Sequence, residues 1–356
     1  MKRMFCVLLA VMCVCIFAAC GETEDEREGG GLLDDVLIEQ IRQEQEKTTD
    51  VPEQTEELET TEQQPTGSVG LDKTSVTLTT IGETAEIRSG DDGSIYWYSE
   101  DSSIAGVCDG VVTAVGNGET KVHAVFLDQD LVCDVTCNIS MGSSREPIMA
   151  APDYESVSAS FFDDAVFVGD SISLKLSYDT TGRLGNAQFL VQGSYGVGNA
   201  IYDVLPTTYR GNTYTNLEDA IAATGAKKLF IMMGMNDIGL YGIDGTIENW
   251  GTLLELIRGV CPDMEIYIQS MTPVWTGGEK GGLTNPNINE YNVKLRNFAA
   301  ENGCAFIDVA PFMRDATGGL ATSFCSDNYV HVSEAGVDMW IKVLKAFAYD
   351  TYKEAY

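Results

Sequence analysis

The sequence predicts an α/β fold, a three-layer sandwich around a five-stranded parallel sheet, preceded by a small all-β sandwich. Three observations predict it. From about residue 161 to the C-terminus, short apolar runs alternate with stretches of helical periodicity; from 68 to 140 the period shortens to two, with turn residues between runs; before residue 68 neither pattern holds. With 356 residues and 44% apolar content, the chain is long enough to bury two cores.

The N-terminus opens with Lys2 and Arg3 and then runs uncharged from Met4 to Ala19, the layout of an export signal over 1–19. The run ends in Phe17-Ala18-Ala19-Cys20-Gly21, which resembles the lipobox of bacterial lipoproteins, with Phe17 where that family most often has Leu. The resemblance implies cleavage before Cys20, a lipid on its sulfur and attachment to the outer face of the cell membrane; a conventional signal cleaved without lipidation is the alternative. Residues 20–67 follow as an acidic tether. Between Glu22 and Glu62, 16 acidic residues face 3 basic ones, too few apolar groups to offset the entropy of ordering. Across the chain 54 Asp and Glu oppose 22 Lys and Arg, a formal charge of -32 that repels phosphate backbones and argues against nucleic acid as a partner.

Residues 68–140 carry about six short strand patterns. Val76 and Leu78 alternate with threonines, 95–98 is aromatic, and 110–116 is an apolar run between glycines. Leu71-Asp-Lys-Thr-Ser-Val-Thr-Leu78 and Gly110-Val-Val-Thr-Ala-Val-Gly-Asn-Gly118 resemble the bacterial immunoglobulin-like group 2 domain, which implies a spacer or a module for cell-surface or carbohydrate contact. His123 reads as an ordinary surface histidine. Cys133 and Cys137 share a strand face about 13 Å apart, too far to bridge each other, and the pairing of Cys108, Cys133, Cys137, Cys261, Cys304 and Cys325 stays open. Residues 141–160, with Pro147 and Pro152, read as a linker.

In the segment 161–356 the strands fall at 166–168, 189–191, 228–233, 265–269 and 305–308, with helices at 217–223, 247–258, 288–301 and 334–352. Such an order makes a parallel sheet with helices on both faces, whose active groups gather beyond the carboxyl ends of the strands. Ser171, the loop Gly193–Gly196, the loop Gly234–Asp237 and Asp308 all stand at such ends. Ser171 follows an apolar strand at a strand-to-helix turn, where it is either a helix cap or a nucleophile near unsatisfied amides. His331 is the only histidine in this segment and so the only imidazole base for that hydroxyl.

Gly169-Asp-Ser-Ile172 resembles the first block of the SGNH hydrolases, the GDSL esterase and lipase family; Gly193-Ser-Tyr-Gly196, Gly234-Met-Asn-Asp237 and Ser326-Asp-Asn-Tyr-Val-His331 resemble the later blocks in order. The resemblance implies a flavodoxin-like sheet order, an oxyanion hole from the amides of Ser171 and Gly196 and the side chain of Asn236, and Asp327 as companion to His331. Asp precedes His here by four residues, where the family's commonest pattern has three. Gly193 and Gly198 compete with Gly196 for the oxyanion role, and Asp308 competes with Asp327 for the imidazole. Asp170 and Asp237 read as loop-orienting residues.

A serine attacked at its proton by His331, with Asp327 stabilising the imidazolium, is an acyl-ester hydrolase that needs no cofactor or metal. Surface anchor, spacer and a long glycine-rich loop carrying Trp275 point to an O-acylated carbohydrate or another small acyl ester, with Tyr195, Tyr241, Trp250 and Trp275 bordering a shallow cleft. A lysophospholipase or thioesterase with the same triad is the enzymatic alternative; a surface adhesin with a vestigial hydrolase region is the non-enzymatic one.

Overall fold

The computed structural model describes residues 70–90, 95–126, 129–202 and 205–355. The export signal, Cys20 and the whole acidic tether lie outside the described residues. Among those described, no helix is long and apolar enough to cross a membrane.

The N-terminal region holds seven strands, β1 (Ser75–Leu78), β2 (Thr84–Glu86), β3 (Tyr96–Ser99), β4 (Ala105–Cys108), β5 (Val111–Ala114), β6 (Gly118–Phe126) and β7 (Gln129–Cys137). They form a four-stranded sheet, β1-β7-β6-β3, and a three-stranded sheet, β2-β5-β4. The period-two pattern sends Val76, Leu78, Trp97, Val122, Ala124, Cys133, Val135 and Cys137 into a core between them. All six cysteines among the described residues are free thiols. His123 departs from its sequence reading: it is 8% exposed. Its ring lies 4.4 Å from that of Tyr98, with Nδ1 2.8 Å from Asp130 and Nε2 3.2 Å from Glu100. Alternation had turned the ring away from the core correctly, but the neighbouring strand covers it.

The α/β region contributes β8 (Ala165–Gly169), β9 (Gln188–Val191), β12 (Lys228–Met232), β13 (Glu265–Gln269) and β14 (Ala305–Ile307) to a five-stranded sheet ordered β14-β13-β12-β8-β9, parallel throughout. A small hairpin, β10 (Thr207–Tyr209) with β11 (Asn212–Tyr214), stands apart from it. The helices are α1 (Val197–Ile201), α2 (Leu217–Thr224), α3 (Ile238–Val260), α4 (Asn285–Glu301), α5 (Ala310–Met313) and α6 (Glu334–Ala355). In chain order the sheet reads 2-1-3-4-5, so successive strands are added on opposite sides of β8. The crevice this opens lies at the carboxyl ends of β8 and β12.

Register is held by a row of aromatic rings. Phe189, Phe167, Phe230 and Tyr267 are direct partners across β9, β8, β12 and β13. Their ring centroids are 5.3, 4.9 and 4.5 Å apart in turn, with near-parallel planes. A one-residue slip would send every ring to the other face.

The two regions belong to one compact unit. Val115 from the end of β5 and Met149 join the core of the α/β region. Residues 141–160, which read as a linker, run along it: Ile148 N donates to Arg314 O at 2.9 Å, Gly142 N to Ala316 O at 2.8 Å and Ser156 N to Lys345 O at 2.9 Å. At the seam a Cβ on Gly106 would lie 2.3 Å from Met149 Sδ and 3.2 Å from Pro311 Cβ, and the Arg296 guanidinium stands 5.1 Å from the Tyr98 ring.

Replacing Phe230 with Ala removes one of the two inner rings of the row and leaves a cavity the rigid sheet cannot close. Urea unfolding followed by circular dichroism is expected to show a loss of about 3–5 kcal/mol; a loss below about 1 kcal/mol would mean the row does not hold the sheet.

Candidate active site

Ser171 leaves the carboxyl end of β8 at the expected strand-to-helix turn, and the helix it enters, Ser173–Tyr178, is a 3-10 helix. Asp170 pins the entrance to it, its Oδ1 accepting from Ile172 N at 2.8 Å and its carbonyl from Leu174 N at 2.9 Å, after which Lys175 N donates three residues back to Ile172 O at 3.0 Å, the 3-10 spacing. Ser171 Oγ lies 2.9 Å from His331 Nε2, and His331 Nδ1 lies 2.6 Å from Asp327 Oδ2. A carboxylate only accepts, so Nδ1–H donates to Asp327, and Nε2 is left to accept the Ser171 proton.

The four-residue spacing between Asp327 and His331 is accommodated by Asn328, whose φ of 55° lies in the left-handed region that asparagine tolerates. Within that turn Asp327 Oδ1 accepts from the amides of Tyr329, Val330 and His331 at 2.9, 3.0 and 3.2 Å. Capping the turn and meeting the ring are shared between the two oxygens of one carboxylate. Burial raises the Asp327 pKa, but the His331 ring and the amides of Tyr329 and His331 outweigh it and hold the group below the usual carboxylate range. Asp308 is elsewhere. It is half-buried beside Ser102, Ser270 and Arg314, and desolvation pushes its carboxyl up despite those partners.

Asn236 follows β12 and donates through Nδ2 to Tyr195 O at 2.9 Å and to Asp170 Oδ2 at 3.3 Å. Gly196 precedes α1 with φ −146°, an extended conformation open to any residue. Close approach is what demands glycine: a Cβ there would lie 2.5 Å from Asp237 Oδ2. The Asp237 carboxylate accepts from Val197 N at 3.0 Å and Gly198 N at 2.8 Å, which engages the Gly198 amide, while the Gly196 amide has no hydrogen-bond partner among the described residues. Gly193 is exposed. Gly234 has φ +132° and meets Tyr291, whose hydroxyl donates to Met233 O at 2.7 Å.

The aromatic residues expected to border the cleft divide. Tyr195 and Trp250 are buried, at 1% and 2% exposure, and Tyr241 remains open at 40%. Trp275 packs within its own loop, with Gly277 against the ring and the Arg145 guanidinium 5.3 Å from the ring centroid. No group of three or more His, Cys, Asp or Glu side chains among the described residues is arranged to hold a metal ion.

Residues 167–339 match the model of the GDSL-like Lipase/Acylhydrolase family. No curated protein matches the chain. Among solved structures, the chain is similar to a GDSL-like lipase from Bacteroides thetaiotaomicron at 15% identity, with 55% of this chain and 90% of that one covered and a TM-score of 0.42. It is similar to a member of the lipolytic G-D-S-L family from Veillonella parvula at 22% identity, with 52% and 97% covered and a TM-score of 0.38. It is also similar to the C-terminal catalytic domain of peptidoglycan O-acetyltransferase A from Streptococcus pneumoniae at 16% identity, with 54% and 94% covered and a TM-score of 0.37. The chain thus carries a GDSL-like hydrolase domain and is an ester hydrolase.

Burial raises the Asp170 carboxyl to about 6, against the opposing pull of the Ile172 and Ser173 amides and the His331 ring. A carboxyl whose folded pKa exceeds its unfolded value binds a proton on folding between the two, so its contribution to stability falls as pH rises from about 4 through 6. Urea midpoints measured from pH 4 to 7.5 are expected to show the wild type losing on the order of 2–3 kcal/mol relative to Asp170→Asn. A constant difference across that range would contradict the shift.

Proposed function

We propose that this GDSL-type ester hydrolase removes acetyl or other small O-acyl groups from cell-wall or environmental polysaccharide, through an acyl-enzyme on Ser171. The observation that carries the reading is the unbroken line from Ser171 Oγ through His331 to Asp327, at 2.9 and 2.6 Å. As Oγ attacks the ester carbonyl, its proton passes to Nε2, and Asp327 stabilises the imidazolium. Negative charge grows on the carbonyl oxygen, where the amides of Ser171 and Gly196 and the Asn236 side chain receive it. The long bond from Asn236 to Asp170 is the one that yields to the oxyanion; the shorter one to Tyr195 keeps the amide oriented. Collapse of the intermediate breaks the bond to the sugar oxygen, which takes the proton from His331. Water then loses a proton to the same nitrogen, attacks the acyl-serine and releases the acid and a regenerated Ser171.

The acidic tether and a lipid on Cys20 would hold this site at the outer face of a cell membrane. The two-sheet region would then act as an immunoglobulin-like spacer or surface contact, where exported polymers are the accessible esters. A lysophospholipase or thioesterase reading has one observation in its favour: Tyr202, Leu240 and Tyr241 are 56%, 76% and 40% exposed on the segments that follow β9 and β12.

With p-nitrophenyl acetate as substrate, Ser171→Ala is expected to lower kcat by about 10⁴-fold or more, and Asn236→Ala by about 100-fold with little change in KM. Undiminished turnover by Ser171→Ala removes the serine from the mechanism. Comparing release from acetylated xylan with release from lysophospholipid separates the two substrate classes: faster release from the lipid favours the second reading.

A further inference from the structure

A groove of about 600 Å³ lies beside the Asp327–His331 turn, within the ~300–1,000 Å³ range of small-molecule sites. Both of its walls grow from segments that carry the triad. One is the 3-10 helix that follows Ser171, continued through the loop to Arg183; the other is formed by Ser326, Val332 and Ser333, which bracket Asp327 and His331, and by the first turn of α6. Arg183 fixes the separation. Its Nη1 donates to Asp338 on the far wall at 2.8 Å, while Nη2 and Nε donate to Asp179 and Thr181 on its own side at 2.8 and 2.7 Å.

The lining is unsuited to an acyl chain. Thr180, Thr181, Ser326 and Ser333 line the groove together with charged residues of both walls, and the apolar Val332 and Val337 are 1% and 8% exposed. Two groups stand ready for a ligand. Tyr178 is 62% exposed, and Lys175 forms no ion pair among the described residues. An exposed phenol ring beside hydroxyls and an unpaired ammonium suits a sugar ring, which stacks its C–H face and hydrogen-bonds around its rim.

We infer that this groove seats the sugar residues next to the acylated one, so that Tyr178 and Lys175 select a carbohydrate leaving group over a simple alcohol. The inference rests on the polysaccharide reading above and gives it a location. The exposed apolar residues Leu240 and Tyr241 are not part of the groove's lining.

The test uses acetylated xylo-oligosaccharide and p-nitrophenyl acetate as parallel substrates for the wild type, Tyr178→Ala and Lys175→Ala. KM for the oligosaccharide is expected to rise about 5- to 10-fold in each variant, with p-nitrophenyl acetate kinetics within about twofold of wild type and an unchanged melting temperature. Equal KM in all three proteins, or a parallel loss on both substrates, would overturn the groove assignment. Calorimetric titration of the oligosaccharide into Ser171→Ala, with and without Tyr178→Ala, reads the groove without turnover. If binding is the same in both while the wild type cleaves p-nitrophenyl acetate, the groove fails and the serine mechanism stands. If the wild type cleaves no ester while Tyr178→Ala abolishes binding, the mechanism fails and the groove stands.

Discussion

Two buried carboxylates hold the site together. Asp170 accepts from the Ile172 amide on its own loop and from Asn236 on the loop after β12; Asp237 accepts from the Val197 and Gly198 amides at the start of α1. Three loops, following β8, β9 and β12, are thereby tied to one another at the point where the sheet order diverges. Only the Ile172 donor is local; the others come from 39 to 66 residues away, and each carboxylate is 1% exposed. The desolvation that makes such groups costly is offset only while the loops stay in register, so Ser171, Gly196 and Asn236 are positioned by the same bonds that make their surroundings rigid.

Much of this was legible in the residues. Parallel strands buried on both faces read as apolar runs, and those runs located all five strands of the main sheet to within a residue or two. The motif loops were legible because glycine, asparagine and aspartate cluster in a fixed order just after those runs. What the chain did not disclose depends on distant packing. The strand-to-helix turn at Ser171 did not tell a 3-10 helix from an α-helix. Gly196 was legible as an amide donor, but the need for glycine there was not: it is a carboxylate 41 residues downstream at Asp237. The aromatic residues were equally visible and equally ambiguous, because only the folded neighbours decide that Trp275 is covered and Tyr178 is open.

The Asp327 turn illustrates how one residue can serve local and tertiary structure at once. Its Oδ1 closes a turn on three amides, and its Oδ2 reaches the imidazole. An additional residue between Asp and His is therefore absorbed by a left-handed Asn328 without displacing either partner. The spacing of such a pair in sequence is a looser constraint than the number of amides the carboxylate can gather.

The seam between the two-sheet region and the α/β region has a consequence for how the chain can be divided. Met149 and Val115 complete the α/β core, Gly106 leaves room for Met149, and Arg145 covers Trp275. A cut anywhere between the two regions would leave apolar side chains facing water and a guanidinium without its aromatic ring. The catalytic region is thus not a portable cassette. Transferring its chemistry to another carrier would require bringing the collar with it, or redesigning the surface that the collar now covers.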